Sequence, residues 1–230
     1  MGRVRMASEW SWAEAENEYQ RAVALEPGAF GSHRGYSLHY LAPMGRFEEA
    51  IAEAKKAVEL DPVNVVSIST LGNIYYYARR YDLAEAEITK ALELEPNYAL
   101  AHFFRARIYK EQEKHTEAIR EAERYVALVG RTGRSLAMLA ATCLRGGREV
   151  EGRKLIQELQ ALSRQSYFSP AEMSQAYASL KDADSAFAWL EKAFETRDVV
   201  LVRLKIDPAW DPIRDDPRYA DLVRRIGFPA

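Results

Sequence analysis

The chain has 230 residues, is 48% hydrophobic and 29% charged, and carries a net charge of −2 with a pI near 6.2. That composition suits a chain that buries a core, and it lacks the basic excess of a surface that tracks phosphates, which argues against nucleic acid as a partner. A single cysteine, Cys143, leaves no internal disulfide to form, and no apolar run reaches the length of a membrane span, so the chain is expected to be cytoplasmic.

From the N-terminus, Met6 and Trp10 fall in a first helix that looks cut short, as if that end continued into further sequence. Ser11-Trp-Ala-Glu14 fits a capping box that starts the next helix. A ladder of small residues then begins: Ala15, Ala50, Ala84, Ala118, Gly152 and Ala186 lie 35, 34, 34, 34 and 34 residues apart. Seven residues after each, two helical turns on, stand Ala22, Ala57, Ala91, Tyr125, Leu159 and Ala193. A second ladder marks the preceding helix of each unit, with Tyr40, Tyr75, Tyr109, Cys143 and Tyr177 spaced 35, 34, 34 and 34 apart. Three residues before each is a small one: Ser37, Gly72, Ala106, Ala140 and Ser174. The single spacing of 35 predicts one extra residue near Ala42-Pro43, in the turn between two helices. Prolines at 27, 62 and 96 close the first three units, and Ser169-Pro-Ala-Glu172 predicts a capped start with Pro170 at the first helical position.

A period held across five intervals predicts an all-α fold of stacked helix pairs, since one pair cannot bury its own apolar face. These residues, most completely Leu71–Pro96, resemble the tetratricopeptide repeat family. The resemblance implies a right-handed superhelical solenoid of antiparallel helix pairs. About six repeats are expected over residues 1–197, the first atypical and the fifth divergent, with Arg105 and Tyr125 as departures in the fourth. Residues 198–230 are expected to form capping helices: an apolar run from Val199 to Leu204, then Asp207-Pro208 and Asp216-Pro217 as helix starts. Tyr219, Leu222, Val223 and Ile226 would share one face of the last helix, with Trp210 and Ile213 nearby. Asp182–Pro229 further resembles the end of the repeat region of bacterial signalling proteins, where such repeats follow a winged-helix, kinase or cyclase domain. On that resemblance the chain is an excised regulatory part or a stand-alone relative.

The family resemblance also implies that the first helix of each pair lines an inner groove where a partner's peptide lies. Working out from the tyrosine ladder, the central groove residues are Asn73, Tyr76, Phe103, Arg107 and Lys110, expected to face solvent. Aromatic surface beside amide and cationic donors suits an extended peptide that carries a carboxylate. The clamp by which some relatives hold chaperone tails is not matched, because Ser69 stands where a basic residue is wanted. His33, His39, His102 and His115 lack metal-ligand spacing, Cys143 fills a core slot, and Glu14-Glu16 and Glu48-Glu49 fall on outer faces. No catalytic, metal or cofactor constellation emerges. The expectation is therefore a protein-interaction scaffold and not an enzyme, with a regulatory region of a larger signalling protein as the alternative.

Overall fold

The computed structural model describes residues 10–164 and 168–229. Met6 lies outside the described residues. Helices α1 (Trp12–Leu25), α2 (Phe30–Tyr36), α3 (Phe47–Leu60), α4 (Val65–Tyr77), α5 (Tyr81–Leu94) and α6 (Ala99–Glu111) come first. They are followed by α7 (His115–Val129), α8 (Gly133–Arg145), α9 (Glu149–Ser163), α10 (Pro170–Ser179) and α11 (Ala183–Glu195). Two 3-10 turns, Val199–Arg203 and Pro208–Ile213, precede α12 (Pro217–Ile226), and no strand occurs among the described residues.

The chain divides into two compact units. One holds the described residues up to Ala101 together with Val202–Ile206 and residues 223–229; the other holds His102–Leu201 and Asp207–Leu222. Residues 198–229 are thus shared between the units.

Both ladders are buried except at Tyr109, which is half-buried. Ala15, Ala50, Ala84, Ala118 and Ala186 have no exposure, and Tyr40, Tyr75, Cys143 and Tyr177 are core residues. Small residues are required where they stand: a Cβ on Gly72 would come within 2.8 Å of Ile88 Cδ1 and 3.2 Å of the Ala84 carbonyl. Gly152, a departure from the alanine pattern, would bring a Cβ to 2.5 Å from Leu144 Cγ, so this pair approaches more closely than alanine allows.

A third ladder was not apparent in the sequence. Gly45, Arg79, Glu113, Gly147 and Lys181, each 34 residues from the last, all have left-handed backbone, with φ of 75°, 59°, 60°, 78° and 61°. Each closes the first helix of a pair. The next amide bonds back to the carbonyl five residues earlier, as in Arg80 to Tyr75, Lys114 to Tyr109, Arg148 to Cys143 and Asp182 to Tyr177. The second ladder therefore supplies the carbonyls that end these helices, at Tyr75, Tyr109, Cys143 and Tyr177. In the second repeat the same bond runs from Arg46 to Leu41, not to Tyr40. The extra residue is accordingly not in the turn at Ala42-Pro43. It is absorbed one turn earlier by a π-helical segment, Ser37–Leu41, where the Ala42 amide bonds to Ser37 O.

Other local expectations divide. Ser169 accepts from the Glu172 amide as a cap should, with Pro170 at the start. Ser11 makes no side-chain cap, because its backbone (ψ 74°) is not in the extended conformation that aims the hydroxyl at the first turn. Glu16 is not a solvated outer residue. It accepts from Tyr36 (3.3 Å), Tyr40 (3.1 Å) and Arg46, and with burial, the larger cause, it raises the Tyr40 hydroxyl to about 12. Arg105 and His102, in place of a core apolar pair, share the buried Glu121 carboxylate at 2.8 and 2.6 Å. Tyr125 packs edge-on against Phe103 with centroids 5.2 Å apart.

The left-handed ladder gives a test. Gly147→Ala should cost about 1–2 kcal/mol, the penalty of left-handed backbone for a residue with a Cβ, even though space is open there. Gly28→Ala, also in open space but without positive φ, should be neutral or slightly stabilising in the same urea titration. Equal effects at the two sites would contradict the assignment.

Candidate functional site: the inner face of the helix pairs

All five residues expected to line the groove are buried. Exposure is 2% for Asn73, 1% for Tyr76, 7% for Phe103, 4% for Arg107 and 3% for Lys110. The expectation that Arg107 faces solvent is therefore corrected, and the cause lies in the C-terminal segment.

In the first unit, α4 is buried on every side from Ser67 to Tyr77. A helix whose outer side meets its neighbours can be buried all round only if something also lies on its inner side. Arg203 supplies one such contact, its guanidinium donating to the Tyr77 hydroxyl at 3.1 Å. Asn73 and Tyr76 belong to this covered helix, and the Tyr76 ring lies 5.6 Å from Tyr77 and 5.9 Å from Tyr81.

In the second unit the occupant is seen residue by residue. Asp198 anchors the segment at the start of α10, accepting from Ser169 Oγ at 2.6 Å and from the Ala171 amide at 3.1 Å. The turn Pro208–Ile213 packs on α10. Asp207, read from sequence as a helix N-cap, does accept from the Ala209 amide at 3.0 Å, although it opens a 3-10 turn and not an α-helix. The same Oδ1 also accepts from Arg107 Nη2 at 2.5 Å, and the two side chains are 2% and 5% exposed. Trp210 is fully buried, and its indole N–H donates to Ser174 Oγ at 2.8 Å. Arg214 closes the turn by donating to the Asp207 carbonyl at 3.2 Å.

Around this pair the charges are dense. Lys110 Nζ lies 3.4 Å from Glu111, and Arg145 reaches the other oxygen of that carboxylate at 3.7 Å. Burial pushes the Lys110 ammonium below its usual range, opposed by the carboxylates of Glu111 and Asp207. Arg134 stacks over Phe103 at 4.4 Å and lies 3.5 Å from Glu172. Phe103, Arg107, Arg134, Met138, Gln175 and Ala209 border a remaining cavity of about 20 Å³, room for a water molecule and no peptide.

Phe103, Arg107 and Lys110 thus border one cavity, where Arg107 is met by a carboxylate from its own chain. Sequence reasoning missed Asp207, Trp210, Arg134 and Ser174. The signal available was the Asp-Pro pair, which reads equally well as a local cap. Cys143 is fully buried, and burial raises its thiol to about 12, which suits a core residue and not a nucleophile. The end segment also touches the last pair, where Arg218 meets Asp184 at 2.8 Å and lies over the Phe187 ring at 4.3 Å.

Removing one partner of a buried ion pair leaves a charge held out of water. Asp207→Ala should therefore cost about 3–5 kcal/mol in denaturant titration. A loss below about 1 kcal/mol, typical of surface pairs, would show that the pair is solvated.

Comparison with known proteins agrees with this architecture. A sequence model of the tetratricopeptide repeat family matches residues 10–65 and 69–130, more than half of the chain. Anaphase-promoting complex subunit 3 of Schizosaccharomyces pombe (strain 972 / ATCC 24843) is 25% identical over 127 residues, which are 55% of this chain and 19% of that protein. The chain thus spans about a fifth of the length of this curated relative. Among solved structures, the anaphase-promoting complex hetero-tetramer Cut9–Hcn1 aligns with a TM-score of 0.63 at 15% identity, over 97% of this chain and 48% of that one. A tetratricopeptide repeat protein of Parabacteroides merdae ATCC 43184 aligns with a TM-score of 0.60 at 15% identity, over 97% and 89%. At such identity these likenesses concern the fold alone. Beyond residue 130 the left-handed ladder continues at the same period through Gly147 and Lys181. The chain belongs to the tetratricopeptide repeat family.

Proposed function

We propose that the chain is a scaffold that takes up a protein partner, as an extended peptide, on the face formed by the first helices of its pairs. The observation that carries this reading is that the inner face of the second unit already holds a short segment of polypeptide, a 3-10 turn, by ion pair, indole hydrogen bond and apolar burial together. A surface that recognises one peptide by these means is equipped to recognise another. Within the first unit the candidate contacts are Asn73 and Tyr76, and within the second they are Phe103, Arg107 and Lys110. These residues become available as the covering segment gives way. Repeats of this kind are as a rule scaffolds and not catalysts, and no catalytic family is indicated for this chain.

One observation favours a second reading, in which the chain is the regulatory part of a larger signalling protein. The covering segment couples the state of the inner face to the C-terminal residues, which is a means by which occupancy could be sensed. An attached output domain in the full gene product would support it.

The scaffold reading is tested with the full chain as bait, followed by titration of each captured partner. Arg134 is a cationic residue of this face that remains half-exposed, so Arg134→Ala should weaken binding about tenfold, equivalent to about 1.4 kcal/mol. Glu49→Ala, at an exposed position on α3, should leave binding unchanged. Loss of affinity from Glu49→Ala with none from Arg134→Ala would place the partner elsewhere and overturn the proposal.

A further inference from the structure

The segment that covers the second unit is specific in its chemistry, and that chemistry defines what could replace it. Asp207 and Trp210 are three residues apart and both fully withdrawn from water. Their two receptors are fixed by different elements, Arg107 on α6 and Ser174 on α10.

Each receptor is selective. Arg107 is 95% withdrawn from solvent on its side chain and is met by a carboxylate at 2.5 Å, with the Lys110 ammonium in the same electrostatic neighbourhood. Withdrawal of Asp207 takes the carboxylate from a guanidinium held out of water, so a replacement that lacks negative charge is disfavoured. Ser174 gives its own hydroxyl hydrogen to the Ala171 carbonyl at 2.7 Å. Its oxygen is thereby oriented as an acceptor, and an indole N–H satisfies it. A phenyl ring of similar shape would leave a buried acceptor unpaired, an asymmetry that discriminates strongly between otherwise similar side chains. The spacing is set by the turn itself, because the Asp207 carboxylate caps the Ala209 amide and Pro208 fixes the backbone between.

We infer that the inner face of the second unit selects peptides that carry an aspartate followed three residues later by a tryptophan, and that Asp207–Trp210 is a built-in competitor for that site. This deepens the scaffold reading and rests on it: the partner would present the same Asp-x-x-Trp pattern and enter by exchange with the chain's own segment. Exchange, unlike simple opening, keeps the buried guanidinium matched to a carboxylate and the serine satisfied at the end of the process.

The test uses a fluorescent peptide of residues 205–216 (KIDPAWDPIRDD) and the full chain. Trp210→Ala weakens the internal competitor while leaving Arg107 and Ser174 in place. That variant should bind the peptide at least tenfold more tightly than the unaltered chain does. Peptides with Asn at the Asp207 position or Phe at the Trp210 position should bind at least tenfold more weakly than the parent peptide. Should Trp210→Ala lose its helical circular dichroism, the unaltered chain answers the same question by hydrogen exchange. Saturating parent peptide should then speed amide exchange across residues 207–213 about tenfold, and the Asn and Phe peptides should not. Binding that is indifferent to the Asn and Phe changes, or neither tighter binding nor faster exchange, overturns the inference. A partner that depends on Arg134 while ignoring this peptide would leave the scaffold reading standing and remove only the proposed selectivity.

Discussion

Arg107 and Asp207 stand 100 residues apart in the chain and meet at 2.5 Å with almost no exposure on either side chain. Much of the second unit follows from the need to keep that pair matched. A guanidinium on the inner side of α6 would be unremarkable in an open groove, where water solvates it. Once an end segment covers the groove, the same guanidinium needs a carboxylate at its tip. Asp207 supplies it, Arg214 holds the Asp207 backbone, and Trp210 enters where its N–H can reach Ser174. Apolar burial of Ala209 and Ile213 then accompanies polar contacts that fix one register.

The repeat architecture itself rests on a shorter-range constraint. The first helix of each of these pairs is closed by a left-handed residue, and in all but the second repeat the carbonyl that accepts the closing bond belongs to the ladder of Tyr75, Tyr109, Cys143 and Tyr177. Glycine occupies this position at Gly45 and Gly147, and Arg79, Glu113 and Lys181 tolerate it at some cost in backbone energy. The turn geometry is therefore set by the stacking of the pairs more than by the preference of the turn residue.

This explains what could and could not be read from the sequence. Helix positions and the burial of Ala84, Tyr75 or Leu190 follow from periodicity, which is local and repeated. The single extra residue in the second repeat was visible as a spacing of 35, but its location was not. A π-helical turn at Ser37–Leu41 and a longer loop at Ala42-Pro43 give the same count, and only the Arg46–Leu41 bond separates them. The left-handed ladder was hidden because Arg79, Glu113 and Lys181 carry no sequence mark of positive φ. That Phe103, Arg107 and Lys110 share a face was legible from helical spacing, and they border one cavity. Its covered state was not legible, because the covering contact spans 100 residues and Asp207-Pro208 satisfies a purely local rule for starting a helix.

The central claim, that the chain's own end segment occupies the inner face through a desolvated ion pair, is tested most directly by a double-mutant cycle. Arg107→Ala, Asp207→Ala and the double variant would be unfolded in urea beside the unaltered chain. The account predicts a coupling energy of about 2 kcal/mol or more, in the range of close charge pairs held out of water. Single-variant losses that add to the double within about 0.5 kcal/mol would show independent residues and contradict it.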